Sequence, residues 1–222
     1  MRQVSIMLAA ACLLGAAASL GFAQTVMAAG GQAEIKDDRG MRVQYVYGGE
    51  GFTAFKPYVR QLLSPSGVNP LRDNVADHIH HHALMYAVAV DGVDFWSETK
   101  ACGRQVQRGI STAARSVNGQ SVSAVTAEID WTKADGKTLV ATEKRTIELY
   151  SNPRTAGTTL MTWRTQLAPA AGAKAIELTG GYYFGLGMRF VKSMDNASTF
   201  MFTDPNAASL TVRDDERLTP SA

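Results

Sequence analysis

Apolar and polar residues alternate with a period of two along much of the chain. The apolar residues Met41, Val43, Tyr45 and Tyr47 alternate with the polar residues Arg42 and Gln44. A second alternating run covers 125–131. Successive side chains of a strand point to opposite faces of a sheet, so this pattern predicts antiparallel strands with one buried face. Helical periodicity is nearly absent. We therefore predict an all-β fold, an antiparallel β-sandwich.

Turn residues separate these strand-like runs. Asp91-Gly92, Asn118-Gly119 and Asp135-Gly136 each lie between two such runs. Asn-Gly and Asp-Gly favour type I′ turns, because both central residues of that turn need positive φ. Each dipeptide therefore predicts a tight hairpin. Further strands are predicted at 137–150, 158–167, 182–191 and 198–203.

The chain is predicted to form one folded domain with short flanking segments. Its 222 residues suffice for a single domain with a sizeable core. Residues 24–40 are small and polar, which predicts a flexible lead-in, and the sandwich domain is predicted over 41–213. Residues 214–222 form an end that is predicted to fray.

The N-terminus has the pattern of a secretory signal peptide. Arg2 is the only charged residue before Glu34, and an apolar run of 15 residues, 6–20, follows it. A membrane-spanning helix needs roughly 20 apolar residues. Small residues mark one cleavage site after Ala23 and a second after Ala28. We predict a signal peptide over 1–23 and a periplasmic or secreted protein.

Composition argues against a nucleic-acid partner, a membrane partner and an intrachain disulfide. The chain has 22 Lys and Arg against 20 Asp and Glu, a formal net charge of +2, and no basic block. A nucleic-acid partner is therefore not expected. No later segment is apolar over the roughly 18 residues of a membrane span, so no membrane association is expected after signal cleavage. Cys12 leaves with the signal peptide, so Cys102 cannot form an intrachain disulfide.

All four histidines of the chain lie within 78–82, directly after Asp77. A sandwich core does not require adjacent imidazoles, so the cluster indicates a site. If the segment is extended, alternate imidazoles point to one face and can bind one divalent ion. The nearest carboxylates to complete such a metal site are Asp77, Asp94 and Glu98. The metal candidates are His78, His80, His82 and Glu98.

A second hypothesis needs no metal. An imidazole with an unperturbed pKa of about 6.5 can move a proton at neutral pH while a carboxylate orients it. His80, His81, His78 and Asp77 are then the catalytic residues. A third interpretation assigns the segment no defined chemistry, as a histidine-rich surface loop. The residues leave all three open, so the cofactor stays undetermined and only the first hypothesis requires a divalent metal.

Several further motifs occur in a fixed order along the chain. They are Lys56-Pro57-Tyr58, Ser64-Pro65-Ser66-Gly67-Val68, Arg72-Asp73, Asp77-His78-Ile79-His80-His81, Gly92-Val93-Asp94-Phe95-Trp96 and Gly185-Leu186-Gly187-Met188-Arg189. Together they resemble a secreted bacterial family of unassigned activity that is labelled methane oxygenase (PmoA-like). A membrane methane monooxygenase needs several spanning helices, which this sequence does not provide, so the label does not describe an activity.

The resemblance implies a β-supersandwich similar to that of galactose mutarotases, and a carbohydrate ligand. It assigns the family's histidine motif to His78, His80 and His81. The family continues beyond the point where this chain ends at Ala222, so the resemblance implies a sandwich shortened at its C-terminus. The ligand-binding candidates are Asp94, Trp96, Arg189, Tyr58 and Arg72.

These observations predict an exported β-sandwich protein that binds or transforms a carbohydrate-derived or other small-molecule ligand at the histidine cluster. The expected chemistry is mutarotase-like or lyase-like: an imidazole protonates a ring or leaving oxygen while a carboxylate or second imidazole takes a proton. The alternatives are a noncatalytic carbohydrate-binding module and a metal-binding protein that uses His78, His80 and His82.

Overall fold

A computed structural model describes residues 25–38, 40–49, 55–73, 75–76, 78–151, 157–181 and 184–195, and two short strands further on. Strands dominate the described residues, and the helical element among them is a 3-10 turn at Lys192–Met194. The strands are β1 (Thr25–Ala29), β2 (Gln32–Asp37), β3 (Gly40–Val46), β4 (Tyr58–Leu62), β5 (Leu84–Ala87), β6 (Ala89–Val90), β7 (Val93–Asp94), β8 (Arg104–Val117), β9 (Gln120–Thr132), β10 (Leu139–Ser151), β11 (Leu160–Pro169), β12 (Leu178–Thr179), β13 (Gly185–Met188), β14 (Leu210–Thr211) and β15 (Thr219–Pro220).

Two large antiparallel sheets form the body of the protein. One has six strands in the order β1-β2-β3-β4-β5-β13, and the other has four in the order β11-β10-β9-β8. The six-stranded sheet includes a pair of strands that are far apart in the sequence. In this pair β13 lies beside β5, with Gly187 opposite Met85. The four-stranded sheet is a meander of long strands. The predicted all-β, sandwich-like fold is confirmed.

The core lies between these sheets. Tyr45 and Val59 of the six-stranded sheet are fully buried, as are Ile129 and Trp131 of the four-stranded sheet. The Trp131 ring contacts Phe95 with ring centroids 4.6 Å apart. The alternation predicted over 125–131 therefore marks the buried face of β9.

A buried ionic network lies within this core. The side chains of Glu143 and Arg145 on β10 have no solvent exposure and form an ion pair with a 2.8 Å separation. Arg145 also donates to the Pro57 carbonyl at 2.7 Å and to Gln105 Oε1 at 2.9 Å. Trp131 Nε1 donates to Glu143 Oε2 at 2.8 Å. The network links the two sheets, because Pro57 precedes β4 and Arg145 lies on β10.

The predicted hairpins form, although one differs in turn type. Asp91 and Asn118 have positive φ (48° and 51°), as a type I′ turn requires. At the third hairpin only Gly136 has positive φ (68°). Asp135 instead accepts hydrogen bonds from the backbone of Lys137 and Thr138, both at 2.8 Å. The prediction of a type I′ turn there is wrong, because the Asp135 side chain stabilises a longer loop.

The predicted flexible lead-in over 24–40 is also wrong. Strands β1 and β2 pair with one another and with β3 in the six-stranded sheet. Ala33 and Ile35 of β2 are buried in the core. The two glycines between the strands, Gly30 and Gly31, have φ of 61° and 82°. A Cβ atom on Gly31 would lie 2.4 Å from the Gly48 carbonyl carbon, so glycine is required there.

The remaining segment predictions have mixed outcomes. Residues 198–203 and most of 214–222 lie outside the described residues, but β15 pairs with β14, so part of the predicted frayed end is in a strand. Cys102 is buried, and the Thr99 hydroxyl contacts its sulfur at 3.2 Å. In the part of the chain that the structure describes, no helix has the length and apolar character needed to cross a membrane.

Candidate active site

The histidine segment is folded into turns and is not an extended strand. His78 N donates to the Val75 carbonyl at 3.0 Å, and His81 N donates to the His78 carbonyl at 3.0 Å. The alternation expected for an extended segment therefore does not arise. His78, His80 and His81 instead lie together, and His82 points away from them into the protein. The reason is that consecutive turns reverse the chain within a few residues.

The three grouped imidazoles are in ring contact. His78 stacks on His81 with ring centroids 4.8 Å apart, and His80 meets His81 edge-on at 4.3 Å. His78 is exposed, whereas His80 and His81 are half-buried. Burial and the nearby Lys56 charge lower the pKa of His80 below its ordinary value. His80 is therefore neutral and able to accept a proton near pH 7.

His81 is held by an arginine from the other end of the chain. Arg189 Nη1 lies 3.1 Å from His81 Nδ1. A guanidinium only donates hydrogen bonds, so His81 Nδ1 must be the unprotonated acceptor and the ring proton must be on Nε2. Burial, the neighbouring imidazoles and Arg189 together lower the pKa of His81 to about 4. The imidazole of His81 is thus neutral at physiological pH.

His82 has a different environment, between two carboxylates. Its Nδ1 lies 2.9 Å from Asp73 Oδ1, and its Nε2 lies 2.9 Å from Glu98 Oε1. Carboxylates accept hydrogen bonds, so both ring nitrogens must carry protons and the ring is an imidazolium. Burial opposes this charge, but the hydrogen bonds to Asp73 and Glu98 outweigh it and raise the pKa of His82.

Two further side chains, those of Lys56 and Tyr58, complete this buried ionic cluster. Lys56 Nζ lies 3.1 Å from Glu98 Oε1 and donates to the Trp96 carbonyl at 2.6 Å. Tyr58 stacks on His82 with centroids 4.4 Å apart and donates to Asp73 Oδ2 at 2.7 Å. Although burial opposes ionisation, hydrogen bonds from His82 lower the pKa of both Asp73 and Glu98. The cluster anchors the segment that carries the other three histidines.

A cavity of about 210 Å³ opens beside these residues. It is lined by His81, His82, Met85, Trp96, Gly187, Met188 and Arg189. The lining combines an apolar wall with a few polar groups, which is typical of small-molecule sites. Among the described residues it contains no carboxylate side chain.

Trp96 forms the apolar wall and is itself held on several sides. It is 5% exposed and stacks on Phe184 with centroids 5.4 Å apart. The His81 ring meets it edge-on at 5.5 Å. A Cβ atom on Gly187 would lie 3.1 Å from Trp96 Cη2, so the glycine lets β13 approach the indole closely. The position of Trp96 is therefore fixed by the histidine segment on one side and by β13 and the adjacent Phe184 on the other.

Comparison with known proteins shows which family this arrangement belongs to. A model described as a family of unknown function (DUF6807) matches residues 32–216. The chain belongs to this family. No curated protein and no solved structure matches the chain. The DUF6807 match begins at Gln32, the first residue of β2, and includes every residue that lines the cavity.

Within this DUF6807 fold, only part of the predicted site comes together. His81, Trp96 and Arg189 line the cavity, whereas His80 contacts the His81 ring with centroids 4.3 Å apart and does not line the cavity itself. Asp77 lies outside the described residues. Three predicted ligand-binding residues have structural contacts instead and do not line the cavity: Tyr58 hydrogen-bonds Asp73, Arg72 pairs with Asp195 at 3.4 Å, and Asp94 accepts from the backbone of Trp96 and Ser97.

The predicted metal set is not brought together either. Both nitrogens of His82 are engaged by Asp73 and Glu98, so His82 cannot join His78 and His80 around an ion. Among the described residues, no group of three or more His, Cys, Asp and Glu side chains is arranged to hold a metal ion. The described histidines instead make hydrogen bonds and ring contacts.

Sequence reasoning missed the ionic cluster around His82. Its carboxylate Asp73 and its lysine Lys56 lie within the motifs that the sequence analysis identified, but nothing in their spacing places them against a histidine. Glu98 has a φ of 54°, an uncommon conformation for a residue other than glycine. No pattern in the sequence indicates that conformation, which turns the Glu98 carboxylate toward His82.

Proposed function

We propose that this protein is an exported enzyme that binds a carbohydrate-derived ligand in the cavity beside His81 and acts on it by proton transfer. The observation that carries the proposal is the Arg189–His81 pair, 3.1 Å apart, at the edge of a cavity walled by Trp96. The part of the Trp96 indole that lines the cavity suits the apolar C–H surface of a sugar ring, and the guanidinium and imidazole suit its oxygens. The resemblance to PmoA-like and mutarotase-type proteins is part of the same proposal.

The roles follow from the protonation states. His81 presents Nε2–H and hydrogen-bonds a ligand oxygen. His80 is neutral at physiological pH and accepts a proton from the ligand, because burial lowers its pKa. His82, with both nitrogens bonded to carboxylates, does not exchange protons with the ligand and positions the segment.

A noncatalytic carbohydrate-binding module is the second candidate. The described lining of the cavity contains no carboxylate, whereas mutarotase-like catalysis pairs an acid with a carboxylate base. The two candidates differ in one measurement. If the protein is a binding module, adding sugar shifts its tryptophan fluorescence but no product appears. If it is an enzyme, a product appears.

The test uses the full chain with its leader removed by the host. Anomer interconversion and eliminative cleavage are followed by NMR on a panel of neutral and acidic sugars. His80→Gln should lower turnover at least about 100-fold, the usual contribution of a general acid or base. Lys174→Gln, at an exposed position far along the chain, serves as the control. Unchanged turnover in His80→Gln and His81→Gln would rule out the proposed enzyme.

Export is part of the proposal and has its own test. Cleavage after Ala23 leaves β1, which begins at Thr25, in the mature chain, whereas cleavage after Ala28 removes all but its last residue. Because β1 pairs with β2 along its whole length, the first site is expected to be used. N-terminal sequencing of the processed protein should begin at Gln24. A first residue of Ala29 would contradict this site, and an uncleaved chain would contradict export.

A further inference from the structure

We infer that the cavity stabilises a ligand oxygen that becomes negatively charged during the reaction, with His81 as a neutral hydrogen-bond donor and Arg189 as the residue that sets its tautomer. This inference rests on the proposed function and narrows the ligand to a carbonyl-bearing sugar or sugar derivative. It assigns to His81 the role of electrophile and excludes it as the base.

The tautomer follows from donor and acceptor counting. The Arg189 guanidinium has no acceptor, so its 3.1 Å contact with His81 Nδ1 requires a lone pair on that nitrogen. The backbone of Arg189 is itself fixed, since its N–H donates to the Ala83 carbonyl at 2.7 Å and its carbonyl accepts from Arg72 N at 2.9 Å. The guanidinium is thus pre-positioned, and the His81 proton is left on Nε2.

The surroundings suit a developing negative charge. The pKa of His81 is lowered to about 4, first by burial and then by the neighbouring cationic and imidazole groups, so the ring stays neutral while it donates. Trp96 and Met85 give the cavity an apolar wall. Pre-oriented donors in a water-poor site stabilise an oxyanion far more than the same groups in water.

The corresponding reaction step balances without a further reactant. The C–H bond next to the ligand carbonyl breaks, and its electron pair forms the carbon–carbon double bond of an enolate. The carbonyl π electrons move to oxygen, where Nε2–H of His81 stabilises them while Arg189 holds the opposite ring nitrogen. The neutral imidazole of His80, whose ring contacts His81, takes the proton. The enolate then re-forms the carbonyl and its double bond shifts, so that the carbon–oxygen bond on the neighbouring carbon breaks and the leaving oxygen takes the proton back from His80.

The tautomer is tested without any ligand. Long-range ¹H–¹⁵N spectra of the full mature protein should show a pyridine-like Nδ1 and a pyrrole-like Nε2 for His81. In Arg189→Gln this pattern should change to a mixture of tautomers, and Arg189→Lys, which keeps a donor, should restore it. Arg164→Gln, at an exposed position of β11, is the matched control. A protonated Nδ1 in the wild type, or an unchanged pattern in folded Arg189→Gln, would overturn the inference.

The oxyanion role is tested with a small probe pair. Glycolohydroxamate mimics a two-carbon enediolate, and glycolamide is its neutral analogue. Tryptophan fluorescence titration should show hydroxamate binding at least about tenfold tighter, with the preference lost in Arg189→Gln. Equal affinity for the two probes would overturn the inference. Sugar binding or turnover in the same preparation would then leave the proposed function standing, so the two failures are distinguishable.

Discussion

His82 offers the sharpest test of the site's electrostatics. The substitution His82→Gln keeps a side chain of similar reach with one amide donor group and one acceptor, so it can serve only one of the two carboxylates. In the wild type both Asp73 and Glu98 lie 2.9 Å from a ring nitrogen, and His82 is 1% exposed. A hydrogen bond to a charged group contributes about 1.5–3 kcal/mol. We therefore expect a loss of about 2–3 kcal/mol in the free energy of unfolding at pH 6.

The pH dependence gives this prediction its sign. The pKa of His82 is raised in the folded state, so its stabilisation is complete below the unfolded-state value of about 6.5 and is lost as the pH rises through the folded-state value. Gln resembles the neutral ring, so the difference between wild type and His82→Gln should shrink from pH 6 to pH 9. Groups outside the ionic cluster titrate alike in both proteins and cancel in this difference.

Urea unfolding followed by tryptophan fluorescence measures the effect, provided that the m-values of the two proteins agree. His78→Gln is the control, because His78 is exposed and a surface substitution changes stability by about 0.5 kcal/mol or less. A stability difference that is constant or grows between pH 6 and pH 9 would refute the assignment of an imidazolium to His82.

Three other substitutions test the fold. Arg145→Met leaves Glu143 charged and buried without its partner, so the free energy of unfolding measured in urea should fall by about 3–5 kcal/mol. Arg164→Met, at an exposed position, should change it little. Equal losses in the two variants would contradict the buried network. Gly31→Ala should lower the free energy of unfolding by more than about 1 kcal/mol. Gly67→Ala should lower it less, because Gly67 has a similar positive φ (85° against 82°) but a Cβ atom there would meet no atom within 4 Å. A larger loss in Gly67→Ala would contradict the close approach of Gly31 to Gly48. Gly187→Ala should displace Trp96 and shift its fluorescence emission. Gly157→Ala should not shift the emission, because a Cβ atom at Gly157 would meet open space. Unchanged emission in Gly187→Ala would contradict the contact between Gly187 and Trp96.

Errors in the predicted fold arose where local signals were weak. Strand β2 has only two inward apolar residues, Ala33 and Ile35, between polar neighbours, and its glycine-rich flanks suggest a flexible segment. Its place in the sheet comes from pairing with β3, a contact that no local pattern reports. The type I′ turn at Asp135 failed for a related reason. The side chain hydrogen-bonds the following backbone at 2.8 Å, which competes with the turn type that the dipeptide favours.

The all-β character and the hairpins at Asp91 and Asn118 were determined by the sequence itself, whereas a site at the histidines stays a prediction. Period-two patterning and turn chemistry act over a few residues, so they can be recognised without knowing the fold. Only the tertiary structure decided what each histidine does. Two adjacent imidazoles, His81 and His82, differ in charge because one meets Arg189, directly after β13, and the other meets Asp73 and Glu98. Protonation depends on these distant partners and on burial, which chain position alone does not specify.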